Sequence, residues 1–252
     1  MACHGGVEPT WASQTPVGRT HIATKGVVQS GLVLNLDAGV SSSYSGIGTT
    51  WTDLSGNGNN GTLTNGPTYS SADGGSLVLD GSNDYILAGR IPFTGTSTAS
   101  ATWGLWVYPQ GTSGNIMSMS STDPQGSWNM PPIAASGQKF RGKIWSNSYL
   151  FSSTYSLNTW YYVVLVWNYS TNSGERGQFL YVNGKLQASQ TNITYSSSNT
   201  NNFIFLGQSN PGADNTGMFL GKYGMFHIYG NKALTASEIQ QNFNATKSRF
   251  GL

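Results

Sequence analysis

Trp160–Trp167 (Trp-Tyr-Tyr-Val-Val-Leu-Val-Trp) is the longest uninterrupted apolar run in the chain, and no Gly, Pro or charge breaks it. Aromatic and β-branched residues dominate it, and both alternating faces are apolar. That pattern predicts a strand covered on two sides. Tyr161, Val163, Leu165 and Trp167 fall on one face, and Tyr162, Val164 and Val166 on the other. Alternation elsewhere predicts the neighbours such a strand needs. Leu32, Leu34 and Leu36 share a face of a first strand over 31–37. Short strands follow over 76–79 and 84–87, around the turn Asp80-Gly81-Ser82-Asn83. A longer strand runs over 99–108, with weaker ones at 115–119 and 139–145. The runs 178–182 and 185–187 flank Asn183-Gly184, the dipeptide that most strongly signals a tight hairpin. Strands over 202–207 and 218–229 close the series.

Between these runs the chain is rich in Gly and Asn. Residues 51–62 read as a tightly wound loop with left-handed backbone positions, and 123–132 as an irregular loop carrying Trp128. One helix is specified. Thr235 and Glu238 have capping-box spacing, Leu234 and Ile239 form a hydrophobic staple, and Ile239 and Phe243 share a face. Lys247 and Arg249 near its end suit the helix dipole. The expectation is a helix packed against one edge of a sandwich. About a dozen strands and one terminal helix predict an all-β antiparallel sandwich over 31–252. Residues 1–30, with Gly5-Gly6, Pro9 and Pro16, read as an extended arm that anchors the domain to a neighbour.

Composition changes the picture in two ways. Only 9% of the 252 residues are charged, against 37% hydrophobic, so solubility rests on Ser, Thr, Asn and Gly. Such surfaces suit extracellular and virion proteins. The net charge of +2 and the absence of any Lys/Arg cluster argue against nucleic-acid binding. Cys3 is the single cysteine, which excludes an intrachain disulfide and a cysteine-type zinc site. No apolar run reaches membrane-helix length, so membrane insertion is not expected, and no apolar leader segment is evident at the N-terminus.

The segments Leu32 to Ala38, Trp51 to Gly61 and Leu77 to Ile86 together resemble the opening of a laminin-G-like domain of the concanavalin A-like lectin/glucanase superfamily. Trp103 to Tyr108, Thr159 to Asn168, Leu180 to Gly184 and Gly221 to Ile239 continue the likeness in order. The resemblance implies a jelly-roll sandwich of two antiparallel sheets. The closing phrase, Ala233 to Ala245 with Arg249-Phe250-Gly251, is similar to versions in structural proteins of tailed bacteriophages.

Three chemistries are conceivable on such a fold, each beside a blander role. Retaining glucanases of this superfamily carry Glu-x-Asp-x-x-Glu on one strand, where alternate carboxylates work as a pair. This chain has three glutamates, Glu8, Glu175 and Glu238, none paired on a strand. His4, His21 and His227 have no nucleophile partner. The chain is therefore expected not to be an enzyme. The resemblance also implies Ca²⁺ held by loop carboxylates and carbonyls, with Asp53 and Asn57 together, and separately Asp84, as candidates. Tyr223-Gly224-Met225 stands where many relatives carry an acid, and Asp53 serves equally as an Asx-turn former. Glycan binding needs exposed aromatic faces, for which Trp128, Trp145 and Tyr149 are the candidates. Each of them fits core cover equally well. The expectation is a virion structural protein of a tailed phage, a capsid decoration or fibre component contacting other virion proteins or its own copies through the arm. The alternative is an extracellular or fibre-borne lectin module for cell-surface glycans, and a glucanase ranks third.

Overall fold

The computed structural model describes residues 26–91, 99–120, 130–144, 147–170, 175–193, 202–208 and 217–252. Sixteen strands in this part of the chain form two antiparallel sheets. The first sheet holds β1 (Leu32–Asp37), β4 (Thr68–Ser70), β5 (Ser76–Asp80), β7 (Ala101–Pro109), β12 (Tyr161–Asn168), β13 (Gly177–Val182), β14 (Lys185–Thr191) and β16 (Leu220–Gly230). Its order is β14-β13-β12-β7-β16-β5-β4, with β1 on the other stretch of β16. The second sheet holds β2 (Thr50–Trp51), β3 (Gly61–Thr64), β6 (Tyr85–Ile91), β8 (Gly114–Ser120), β9 (Met130–Ser136), β10 (Lys139–Gly142), β11 (Leu150–Thr154) and β15 (Asn202–Leu206). Its order is β11-β10-β9-β8-β15-β6-β3-β2.

The apolar run at 160–167 becomes β12, flanked by β7 and β13. Its two faces part as the alternation requires. Val163, Leu165 and Trp167 join the core between the sheets, while Tyr162, Val164 and Val166 face a second apolar layer on the outside of the first sheet. Each fully buried Val or Leu contributes roughly 1.5–3 kcal/mol relative to exposure. A strand buried on both sides collects that contribution at almost every position.

Helix α1 (Ala236–Thr246) supplies the outer layer. Its predicted capping box is formed, with Thr235 Oγ1 accepting from the Glu238 N–H and Glu238 accepting from the Thr235 N–H. The helix does not sit at an edge as expected. It lies over the face of the first sheet, because Trp106, Tyr162, Val164 and Tyr229 there are apolar and need cover. Trp106 is at the centre of this layer. Its ring stacks on Phe250 with centroids 4.2 Å apart, and its Nε1–H donates to Thr246 Oγ1 at 2.8 Å. Arg249 does more than complement a dipole: it pairs with Asp37 at the end of β1 and donates to the Gly75 carbonyl.

Three further details depart from expectation. Leu32 does not share a face with Leu34 and Leu36, because a bulge between Leu32 and Leu34 turns Leu32 toward the helix layer. The loop expected at 51–62 ends in β3, and the one at 123–132 ends in β9. The β8–β9 ladder pairs Met130 with Met119 and Ile133 with Met117, so it steps over Pro131-Pro132, which have no N–H to give. Residues 26–30, the end of the expected arm, pack on the sandwich. The Val28 N–H donates to Asn242 Oδ1 at 2.8 Å, and the Val28 carbonyl accepts from the Tyr229 hydroxyl at 3.0 Å. Residues 1–25 lie outside the described residues.

Candidate functional site

The helix layer covers the first sheet. On the second sheet, β10 and β11 carry a group of exposed side chains. Phe140 points inward to the core, so Lys139 and Arg141 point outward, and Lys143 continues the alternation just past the strand. On the edge strand β11, Leu150 is buried and Phe151, cross-strand from Arg141, is exposed. Tyr149 completes the group. Its ring lies 6.2 Å from that of Phe151, with Arg141 Cζ 4.7 Å and Lys143 Nζ 4.4 Å from its centre. Tyr149 is 43% exposed and Phe151 is 44% exposed. Adjacent rings left this open stand out among the described residues, where most aromatics are buried.

Glutamines of the opposite sheet hold this strip in place. Gln178 on β13 is fully buried; its Oε1 accepts from the Ile144 N–H at 2.7 Å and its Nε2 donates to the Ser148 carbonyl at 2.7 Å. Gln190 accepts from the Ser148 N–H at 3.2 Å, and Gln187 from the Ser153 N–H at 3.3 Å. The segment bearing Tyr149 and Phe151 is thus tied to the first sheet through its backbone. A platform fixed beforehand loses less entropy on binding.

Of the three glycan candidates, Tyr149 lies in this strip. Trp128 and Trp145 lie outside the described residues. Phe151, Arg141 and Lys143 escaped the sequence reading as site residues. The available signal was the alternation Lys139, Arg141, Lys143 followed by Tyr149 and Phe151, two residues apart.

The calcium candidates lie apart, as the sequence reading has them. Asp53 and Asn57 share the β2–β3 loop, and Asp84 lies after the β5–β6 turn. The Asp53 carboxylate already accepts from the Asn35 and Ser55 N–H groups through Oδ1, and from the Ser55 hydroxyl and Asn59 N–H through Oδ2, at 2.7–3.0 Å. Asn57 turns its amide nitrogen to Ser55 Oγ at 2.9 Å. Asp84 accepts the Asp80 N–H, and burial holds its carboxyl above the usual range. No group of three His, Cys, Asp or Glu side chains suited to a metal occurs among the described residues. A hard cation asks for several free oxygens, and these residues do not fit it.

A shallow groove of about 260 Å³ also opens where the N-terminus of α1 meets β12 and β13, lined by Phe179, Tyr181, Leu234 and Thr235 among others. Glu238 is occupied by the helix cap and by Lys232, 2.6 Å away. Glu175 stands in a turn before β13, and Glu8 lies outside the described residues. No helix among the described residues is long and apolar enough to cross a membrane.

Solved structures with this fold include sialidases and a domain of an arabinanase. A mutant of Trypanosoma rangeli sialidase displaying trans-sialidase activity superposes with a TM-score of 0.65 at 15% identity, over 90% of this chain and 34% of that one. Trypanosoma rangeli sialidase in complex with a difluorinated nononic acid gives 0.63 at 17% identity, over 93% and 36%. Domain 4 of a GH43 extracellular arabinanase from Geobacillus stearothermophilus, in complex with arabinotriose, gives 0.53 at 17% identity, over 84% of this chain and 97% of that domain. The chain spans about a third of the length of the sialidases it matches. At these identities the likeness is one of fold. It nevertheless corrects the expectation that the chain is not an enzyme. Glycosidases carry this sandwich, and a missing carboxylate pair excludes one mechanism only, since sialidases use a tyrosine nucleophile instead. No curated protein matches the sequence. The laminin G profile matches residues 80–240, well over half of the chain, and the protein belongs to that family, within the concanavalin A-like lectin/glucanases superfamily.

Proposed function

We propose that this protein binds glycans on the outer face of its second sheet, with Tyr149 and Phe151 as the platform. The observation that carries this reading is the pair of neighbouring rings, each more than two-fifths exposed and tied down by glutamines from the opposite sheet. Rings of this kind offer sugars a flat apolar face, and the tyrosine hydroxyl adds a polar tip. The family and the arabinotriose-bound domain support it. A glycan array probed with the native chain and with Tyr149→Ala, Phe151→Ala and the double variant tests it. The expected result is binding to a defined set of glycans, weakened about tenfold by each substitution with an unchanged unfolding midpoint. Undiminished binding by the double variant contradicts it.

The setting proposed for this module is a tailed-phage particle, with residues 1–30 joining it to other virion proteins and the sandwich turned toward cell-surface glycans. The phage-like phrase over 233–251 supports that setting. Mass spectrometry of purified particles checks it: the chain is expected among the virion proteins, and its consistent absence returns the module to an extracellular role.

A further inference from the structure

Charge is scarce in this protein, and its placement on β10 is uneven. No Asp or Glu occurs between Asp123 and Glu175, whereas Lys139, Arg141 and Lys143 stand at alternate positions within that stretch. The ion pairs among the described residues are Lys232–Glu238 and Arg249–Asp37, and neither involves β10. Lysines often guard the open edge of a sheet against pairing with another chain. Here β11 is the edge strand and β10 lies inside it, so that role does not explain them. Arg141 is half-buried, and its Nε has no hydrogen-bond partner among the described residues. The Tyr149 ring offsets part of the cost of partly desolvating this cation, and an incoming anion relieves more of it. The planar guanidinium fork is matched in shape to a carboxylate.

Resting on the glycan-binding reading above, we infer that the ligand is an acidic glycan: its sugar rings lie on Tyr149 and Phe151, and its carboxylates pair with Arg141 and Lys143. The rings alone accommodate neutral sugars; the cations beside them, with no ion-pair partner among the described residues, select for negative charge.

The test uses the full chain with polygalacturonate, alginate and polysialic acid, each beside its own carboxyl-reduced, neutral form. Titrations are run at low and physiological salt. At least one acidic polymer is expected to bind tenfold or more tightly than its reduced form, with affinity falling as salt rises. Arg141→Gln and Lys143→Gln, the latter a change at a partly exposed position, are each expected to bring the acidic polymer down toward the reduced one. Equal affinity for the acidic and reduced forms, lost in the Tyr149→Ala/Phe151→Ala double variant, overturns the acidic assignment and leaves glycan binding standing. Binding to no polysaccharide, acidic or neutral, overturns both. Tighter binding to a single-stranded oligonucleotide than to any polysaccharide also overturns the assignment.

Discussion

His227 lies on β16 between Met225 and Tyr229, opposite Asn35 of β1 and Gly104 of β7. It is almost fully buried, and neither ring nitrogen has a hydrogen-bond partner among the described residues. Burial pushes its pKa from 6.5 down to about 4, against a weaker opposite pull from Asp37. The folded protein therefore holds this imidazole neutral in a range where the unfolded chain protonates it. Stability from this group is complete above pH 6.5 and declines as pH falls toward 4, by about 3 kcal/mol in all. Urea unfolding at pH 7, 5.5 and 4.5 checks the effect. His227→Leu is expected to show a shallower loss of stability on acidification than the native chain, and identical pH dependence of the two contradicts it. The sequence shows only that His227 lacks a nucleophile partner. Its burial follows from a position between strands that are distant in the chain, which no local pattern reveals. Asp53 shows the reverse. Its place in a Gly/Asn loop predicted a turn former, and the four hydrogen bonds to its carboxylate agree.

At the scale of elements, strongly periodic segments were legible and interrupted ones were not. β12 was evident because both of its faces are apolar. The β13–β14 hairpin was evident because Asn183 and Gly184 adopt φ of 51° and 77°, the left-handed pair that a two-residue turn requires. The helix was evident from its cap and staple. Its docking surface was not, because capping residues fix where a helix begins and say nothing of which sheet it covers. β9 was hidden by Pro131-Pro132, and β11 by Ser152-Ser153-Thr154. β11 held half of the candidate platform, so Phe151 went unnoticed while Tyr149, two residues earlier, was noticed. The glutamines that lock the platform were equally silent. Gln178 is within 34 residues of every side-chain hydrogen-bond partner it has, yet its role appears only once β13 packs under Ile144 and Ser148.

For the whole molecule, the division of labour is between two outer faces. The first sheet turns its outer face to α1 and to the aromatic layer around Trp106, which leaves little there to bind a partner beyond the groove at the helix N-terminus. The second sheet presents Tyr149, Phe151, Arg141 and Lys143, held from behind by the first. The two-layer sandwich was legible from strand number and alternation, and the family followed from motifs spread over most of the chain. Which face carries the site was not, because both sheets draw strands from all along the sequence. Mapping backbone amide shifts by NMR on addition of an array-positive glycan tests the central claim most directly. Perturbations are expected to concentrate in 139–144 and 147–154, on β10, β11 and their connection. Perturbations confined to the β2–β3 loop, the β5–β6 turn or the groove beside α1 would contradict it.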